Sequence, residues 1–77
     1  MHLDILAPDK KIFSGEVTSV QVPGAAGQFQ VLKNHAAIIS TLIKGTVKIK
    51  TAEGEKTFDI KSGVIEVLKN KIAILVG

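Results

Sequence analysis

Few side chains in this 77-residue chain have the type and spacing for covalent chemistry. His2 and His35 are its only histidines and lie far apart in sequence. Neither has further ligands at zinc-site spacing, and the absence of cysteine excludes a thiolate site or a disulfide frame. For His35 to act as a base it would need a nucleophile and an orienting acid; Ser40 and Asp59 are present, but no motif ties them to it. The carboxylates are scattered. Only Glu66 lies between apolar neighbours, Ile65 and Val67, and its position fits the outer face of a strand. Gly24 and Gly27 stand close together, yet no Gly-Lys-Ser or Gly-Lys-Thr follows, and the next residues read as a strand rather than a helix N-terminus. A phosphate cradle needs both, so these glycines are assigned to tight turns with positive φ. No catalytic residue, metal or cofactor is expected.

Composition narrows the partners. The net charge is +3 and every basic residue is a lysine. Arginine supplies the bidentate contacts to phosphate and guanine, so its absence argues against nucleic acid. With Phe13, Phe29 and Phe58 as the only aromatic residues, and Phe58 assigned to the core, a base-stacking platform is missing as well. The lysines are spread along the chain, as on a solvated face that also protects strand edges. The N-terminus lacks the basic and apolar regions of a signal peptide. No apolar run approaches the roughly 18 residues that span a bilayer.

The elements are strands. Thr46–Lys50 and Lys56–Lys61 alternate apolar and polar residues around an Ala52-Glu53-Gly54-Glu55 turn, predicting a hairpin with Val47, Ile49, Phe58 and Ile60 facing a core. Leu3, Ile5 and Ala7 alternate with His2 and Asp4 before a Pro8-Asp9-Lys10 turn. Ser14-Gly15 predicts a bend or bulge. Ile38, Ile39, Leu42 and Ile43 are also compatible with a helix capped by Asn34, but the short, β-branched run favours a strand. Val64–Leu68 and Ile72–Val76 are apolar at both parities, so these strands are either buried on both faces or have an outer face covered by something else; one small core favours the second. The whole chain, 1–77, is expected to form a single all-β domain, a sandwich or barrel. At this size it buries only about 60% of its unfolded surface, so its stability is expected to be modest or shared with a partner.

One stretch carries a family likeness. In Val22-Pro23-Gly24-Ala25-Ala26-Gly27-Gln28-Phe29-Gln30-Val31-Leu32-Lys33-Asn34-His35-Ala36, a strand ends in a Pro-Gly turn, a second Gly opens an apolar strand, and an Asn-His-Ala step follows. With His2-Leu3-Asp4-Ile5, Phe13-Ser14-Gly15, Ser62-Gly63-Val64-Ile65-Glu66-Val67 and Asn70-Lys71-Ile72-Ala73-Ile74-Leu75, it resembles the ε subunit of F-type ATP synthases in its N-terminal domain. Gln30 stands where the family commonly has Gly, Lys33-Asn34 where it has Pro-Gly, and Ala37 where it has Pro. Asn tolerates the left-handed conformation, so the turn survives.

The resemblance implies a flattened β-sandwich of about ten short, mostly antiparallel strands. It implies a non-catalytic rotor subunit that binds the γ subunit and the c-ring on the cytoplasmic face of the bacterial inner membrane. A ring-facing loop is expected at Gly27, Gln28, Phe29, Gln30, Val31 and Leu32, and a γ-facing set at Ala7, Pro8, Asn34, His35 and Ala36. Family members commonly continue into a helical hairpin that restrains ATP hydrolysis and in some binds ATP. With no helical segment before Gly77, the attachment role is expected without that latch or nucleotide site. The alternatives are an interaction sandwich with an unrelated partner, or a biotinyl or lipoyl carrier. For the carrier, Lys69 and Lys71 sit at a turn, but Leu68, Asn70 and Ile72 do not match the usual flanks.

Overall fold

The computed structural model describes all residues, 1–77. Nine strands follow one another: β1 His2–Ala7, β2 Lys10–Glu16, β3 Ser19–Gly24, β4 Gly27–Val31, β5 Ile38–Leu42, β6 Gly45–Thr51, β7 Gly54–Ile60, β8 Gly63–Leu68 and β9 Lys71–Val76. Alternation is the local cause. In β6, Val47 and Ile49 are buried while Thr46, Lys48 and Lys50 point to solvent. The segment at Ile38 is a strand, as its β-branched residues favour.

The strands form one continuous sheet in the order β2-β1-β9-β8-β5-β3-β6-β7, with β4 on the side of β3. All pairings are antiparallel except β1 with β9. The sheet curls so that two halves, β2-β1-β9-β8-β5 and β4-β3-β6-β7, enclose a single core. Fourteen buried residues fill it, among them Leu3, Ile5, Val20, Val22, Leu42, Val47, Ile49, Ile65, Ile72 and Ile74.

The halves meet at a corner where β3 changes neighbours. Its first residues pair with β6, and its last, Gly24, pairs with Leu42 of β5. The Ala25 amide donates to the Thr41 carbonyl at 2.9 Å, and the Ile43 amide to the Pro23 carbonyl at 2.9 Å. Gly24 is needed here for space rather than for its φ. A Cβ would lie 2.6 Å from the Gly27 oxygen and 2.9 Å from the Phe29 ring. Gly27 does take a positive φ, 133°.

At the far side, the terminal strands of the order, β2 and β7, share no ladder. There the Phe13 and Phe58 rings meet, with centroids 5.9 Å apart, and the Lys56 ammonium lies 5.6 Å from the Phe13 centroid. The expected bulge lies elsewhere than at Ser14-Gly15. β2 is continuous through both, and the register slips between Ile5 and Leu6, leaving Ile12 as the extra residue. Gly15 faces inward beside the Phe13 ring, so it fits the strand without a bend.

Candidate functional site: an apolar sheet face and its rim

The outer side of β5-β8-β9-β1 departs from the inside-out rule. Registered rows run across it: Thr41, Val64, Leu75 and Leu6; then Ile39, Glu66, Ala73 and Asp4; then Leu68, Lys71 and His2. Ile39 is 71% exposed, Leu68 and Leu75 53% each, and Val64 40%. Isolated exposed apolar residues are ordinary, but four on adjacent strands of one face mark a contact surface. Two shallow depressions flank Glu66. One, of about 420 Å³, is lined by His2, Asp4, Leu68, Lys71 and Ala73; the other by Ala37, Ile38, Ile39 and Leu68.

One edge of this face is charged, a cluster that sequence separation hides. The His2 Nε2 lies 3.2 Å from the Asp4 Oδ1, and its Nδ1 3.4 Å from the Glu16 Oε2. The terminal amine of Met1 lies 3.5 Å from the Glu16 Oε1. Pairing of β1 with β2 puts His2 opposite Glu16 and Asp4 opposite Ser14. The Ser14 hydroxyl beside Asp4, assisted by His2 and Lys11, holds the Asp4 carboxyl below its ordinary range, against a smaller opposing effect of burial. Strand alternation gave a signal for the His2–Asp4 pair; only the β1–β2 register adds Glu16.

The sequence-derived positions distribute over the molecule as follows. The segment Gly27–Leu32 is not a loop. Gly27–Val31 is β4, hydrogen-bonded to β3, so the turn is confined to Ala25-Ala26. Gln28 and Gln30 are exposed and Phe29 is half-buried. Val31 is fully buried among core residues, so its side chain is removed from any contact set. Leu32 is exposed beyond the opposite end of β4 from Gly27.

Asn34 adopts a φ of 67°, in the left-handed region, and its amide donates to the Asn70 Oδ1 at 3.0 Å. The His35 amide donates to the Leu32 carbonyl at 3.0 Å, and the His35 ring contacts the Ala36 carbonyl at 2.7 Å. Lys69 and Asn70 both have positive φ, as a two-residue hairpin turn requires. The Asn70 carbonyl in turn accepts from the His2 amide. Asn34–Ala36 therefore sits at the His2 end of β1, and Ala7-Pro8 at the other, about 17 Å away at strand rise. The structure does not bring these two sets together. They bracket one apolar face.

The molecule is a small curled β-sheet around a single packed core, with one outer surface that leaves apolar side chains exposed. Its sequence matches the ATP synthase delta/epsilon chain β-sandwich domain over residues 1–77, and the chain belongs to that family. The ATP synthase epsilon chain of Caulobacter vibrioides is 44% identical over 75 residues, covering 97% of this chain and 87% of that one. In the cryo-EM structure of the Euglena gracilis mitochondrial ATP synthase, one chain superposes with a TM-score of 0.88 at 21% identity, over 96% of this chain and 48% of its own length. A chain of the Tetrahymena thermophila mitochondrial ATP synthase central stalk and c-ring gives 0.82 at 16% identity, over 97% and 61%. The present chain thus spans about half and three-fifths of those two chains. Their low identity carries the fold.

Proposed function

We propose that this domain is the attachment module of an ATP synthase epsilon chain, a non-catalytic rotor component. It ties the γ subunit to the c-ring, so that rotation of the ring and of the stalk stay coupled. The apolar outer face of β5-β8-β9-β1 carries this reading. A family member that leaves Ile39, Val64, Leu68 and Leu75 in water needs a partner to cover them. The complexes that contain the two solved relatives include a c-ring, one of them with the central stalk.

In this reading γ lies across the apolar face. It is framed by Ala7 and Pro8 at one end and by Asn34, His35 and Ala36 at the other. The β3–β4 hairpin, through Gly27, Gln28, Phe29 and Gln30, meets the polar loops of the ring, with Leu32 at its far end. The domain contributes rigidity and no catalytic residue, and it reaches the membrane only through the complex, on the cytoplasmic face in a bacterium.

The test is co-expression with the γ subunit of the same source, followed by size-exclusion chromatography and native mass. A one-to-one complex weakened by His35→Ala and lost in Val64→Lys is the expected result. A monomer indifferent to γ overturns the proposal.

A further inference from the structure

Resting on that reading of the apolar face, we infer that the docked partner surface carries one lysine or arginine seated over Ala73, where it pairs with Glu66. Glu66 is the one charged side chain set among the apolar rows. Across the ladders its neighbours are Ile39 and Ala73, and Val64 and Leu68 stand two residues away on its own strand. It takes part in none of the three ion pairs of the molecule. The other nearby carboxylate, Asp4, already contacts His2 and lies beside Ser14.

In the free domain Glu66 is exposed and hydrated, and its charge costs nothing. Covering Ile39, Val64, Leu68 and Leu75 removes that water. A carboxylate buried on an interface without a partner costs several kcal/mol, enough to cancel much of what the apolar contact supplies. A cation on the partner offsets that cost most directly. The shape supports it. Ala73 is the smallest side chain of its row and floors the depression, with Glu66 on the strand to one side and Asp4 on the strand to the other. Two strand spacings separate those carboxylates, about 10 Å, which is room for an ammonium or guanidinium group between them.

Within the chain, His2 is already held between Asp4 and Glu16, and Lys71 is the lysine that lies nearest. It lines the same depression, opposite Leu68 and diagonal to Glu66, and pairs with neither carboxylate.

The sign of one substitution decides the matter. In the γ complex, Glu66→Gln keeps the shape and removes the charge. A partner cation predicts at least a tenfold loss of affinity, a larger loss for Glu66→Lys, and a weaker salt dependence in Glu66→Gln than in the unsubstituted complex. Lys48→Gln, on the other outer surface, is expected to stay within twofold, and Lys71→Gln to lose less than Glu66→Gln, since the cation comes from the partner. Equal or tighter binding by Glu66→Gln overturns the inference, because it shows that the charge was buried alone or left in water. So does a Lys71→Gln loss as large as that of Glu66→Gln. Val64→Lys separates the two levels. If it abolishes binding while Glu66→Gln does not weaken it, the face is the docking site and only the cation is refuted. If Val64→Lys binds normally, or the unsubstituted chain does not bind γ, the docking face itself falls and takes the cation with it.

Discussion

The two outer surfaces of this sheet cover the same core and obey opposite rules. On β4-β3-β6-β7 the registered rows read Gln30, Gln21, Lys48 and Thr57, flanked by Lys50 with Glu55 and Thr46 with Asp59. Each polar group there has water or a neighbour, and the Thr46 hydroxyl donates to the Asp59 Oδ1 at 3.0 Å. On β5-β8-β9-β1 the same pleat presents Ile39, Val64, Leu68, Ala73 and Leu75. One core fills the inside of both halves, so packing within the domain does not explain the difference. A surface finished for water and a surface that leaves apolar side chains exposed sit back to back. In the proposed function, stability and affinity are carried by different sides of the same strands.

That separation is most sharply tested on β8, where Val64 and Ile65 are adjacent and face opposite ways. Ile65→Ala opens a cavity in the core and is expected to cost about 2–5 kcal/mol of folding free energy, measured by urea unfolding. Val64→Ala on the outer face is expected to change folding by less than about 0.5 kcal/mol. Comparable folding losses at the two sites would mean that the outer face already packs against something in the free chain.

The binding counterpart has the next largest effect. Val64→Lys with Leu75→Lys is expected to weaken the γ complex by about a hundredfold or more, near 2.7 kcal/mol, in a titration followed by calorimetry. Lys48→Glu on the other surface is expected to leave it within about twofold. Equal losses from both surfaces would erase the distinction between them.

The corner that joins the halves responds next. Gly24→Ala places a methyl group 2.6 Å from the Gly27 carbonyl oxygen. The backbone there is held by the Ala25 and Ile43 amide bonds, so the strain is expected to cost about 1–3 kcal/mol of stability by urea unfolding. A neutral Gly24→Ala would show that the corner gives enough to accept the methyl group without strain.

Much of this contrast was legible in the residues. The period-two alternation of Thr46–Lys50 and Lys56–Lys61 marks a half-buried hairpin, and β6 and β7 pair over that span. The apolar parity of Val64–Leu68 and Ile72–Val76 marks a covered outer face, and that surface is the exposed apolar one. Illegible were the features that depend on pairing between distant strands. Nothing local announces that β1 and β9 run parallel, that β3 passes from β6 to β5 at Gly24, or that Phe13 and Phe58 close the seam. The residues after Gly27 read locally as an apolar strand, and only the family likeness makes Gly27–Leu32 a loop. Hydrogen bonding to β3 turned most of that segment into a strand and put Val31 in the core. Ala7-Pro8 and Asn34–Ala36, both expected from the likeness to face γ, stand at opposite ends of β1.

The smallest effect concerns the charged margin of the apolar face, where the two rules meet. Asp4 is ionised more readily in the folded chain than in the unfolded one, chiefly because the Ser14 hydroxyl stabilises its charged form, with His2 and Lys11 adding to it. A carboxyl depressed on folding adds stability at pH values above its unfolded pKa and loses that contribution as pH falls through the lower folded value. Acid unfolding below about pH 4 is therefore expected to be slightly shallower in Asp4→Asn than in the unsubstituted chain, with the two alike in pH dependence near neutrality. Ser14→Ala removes the largest cause while leaving the carboxyl in place, so an NMR titration of the Asp4 carboxyl is expected to move upward in that variant. An unchanged titration would assign the depression to His2 and Lys11 instead.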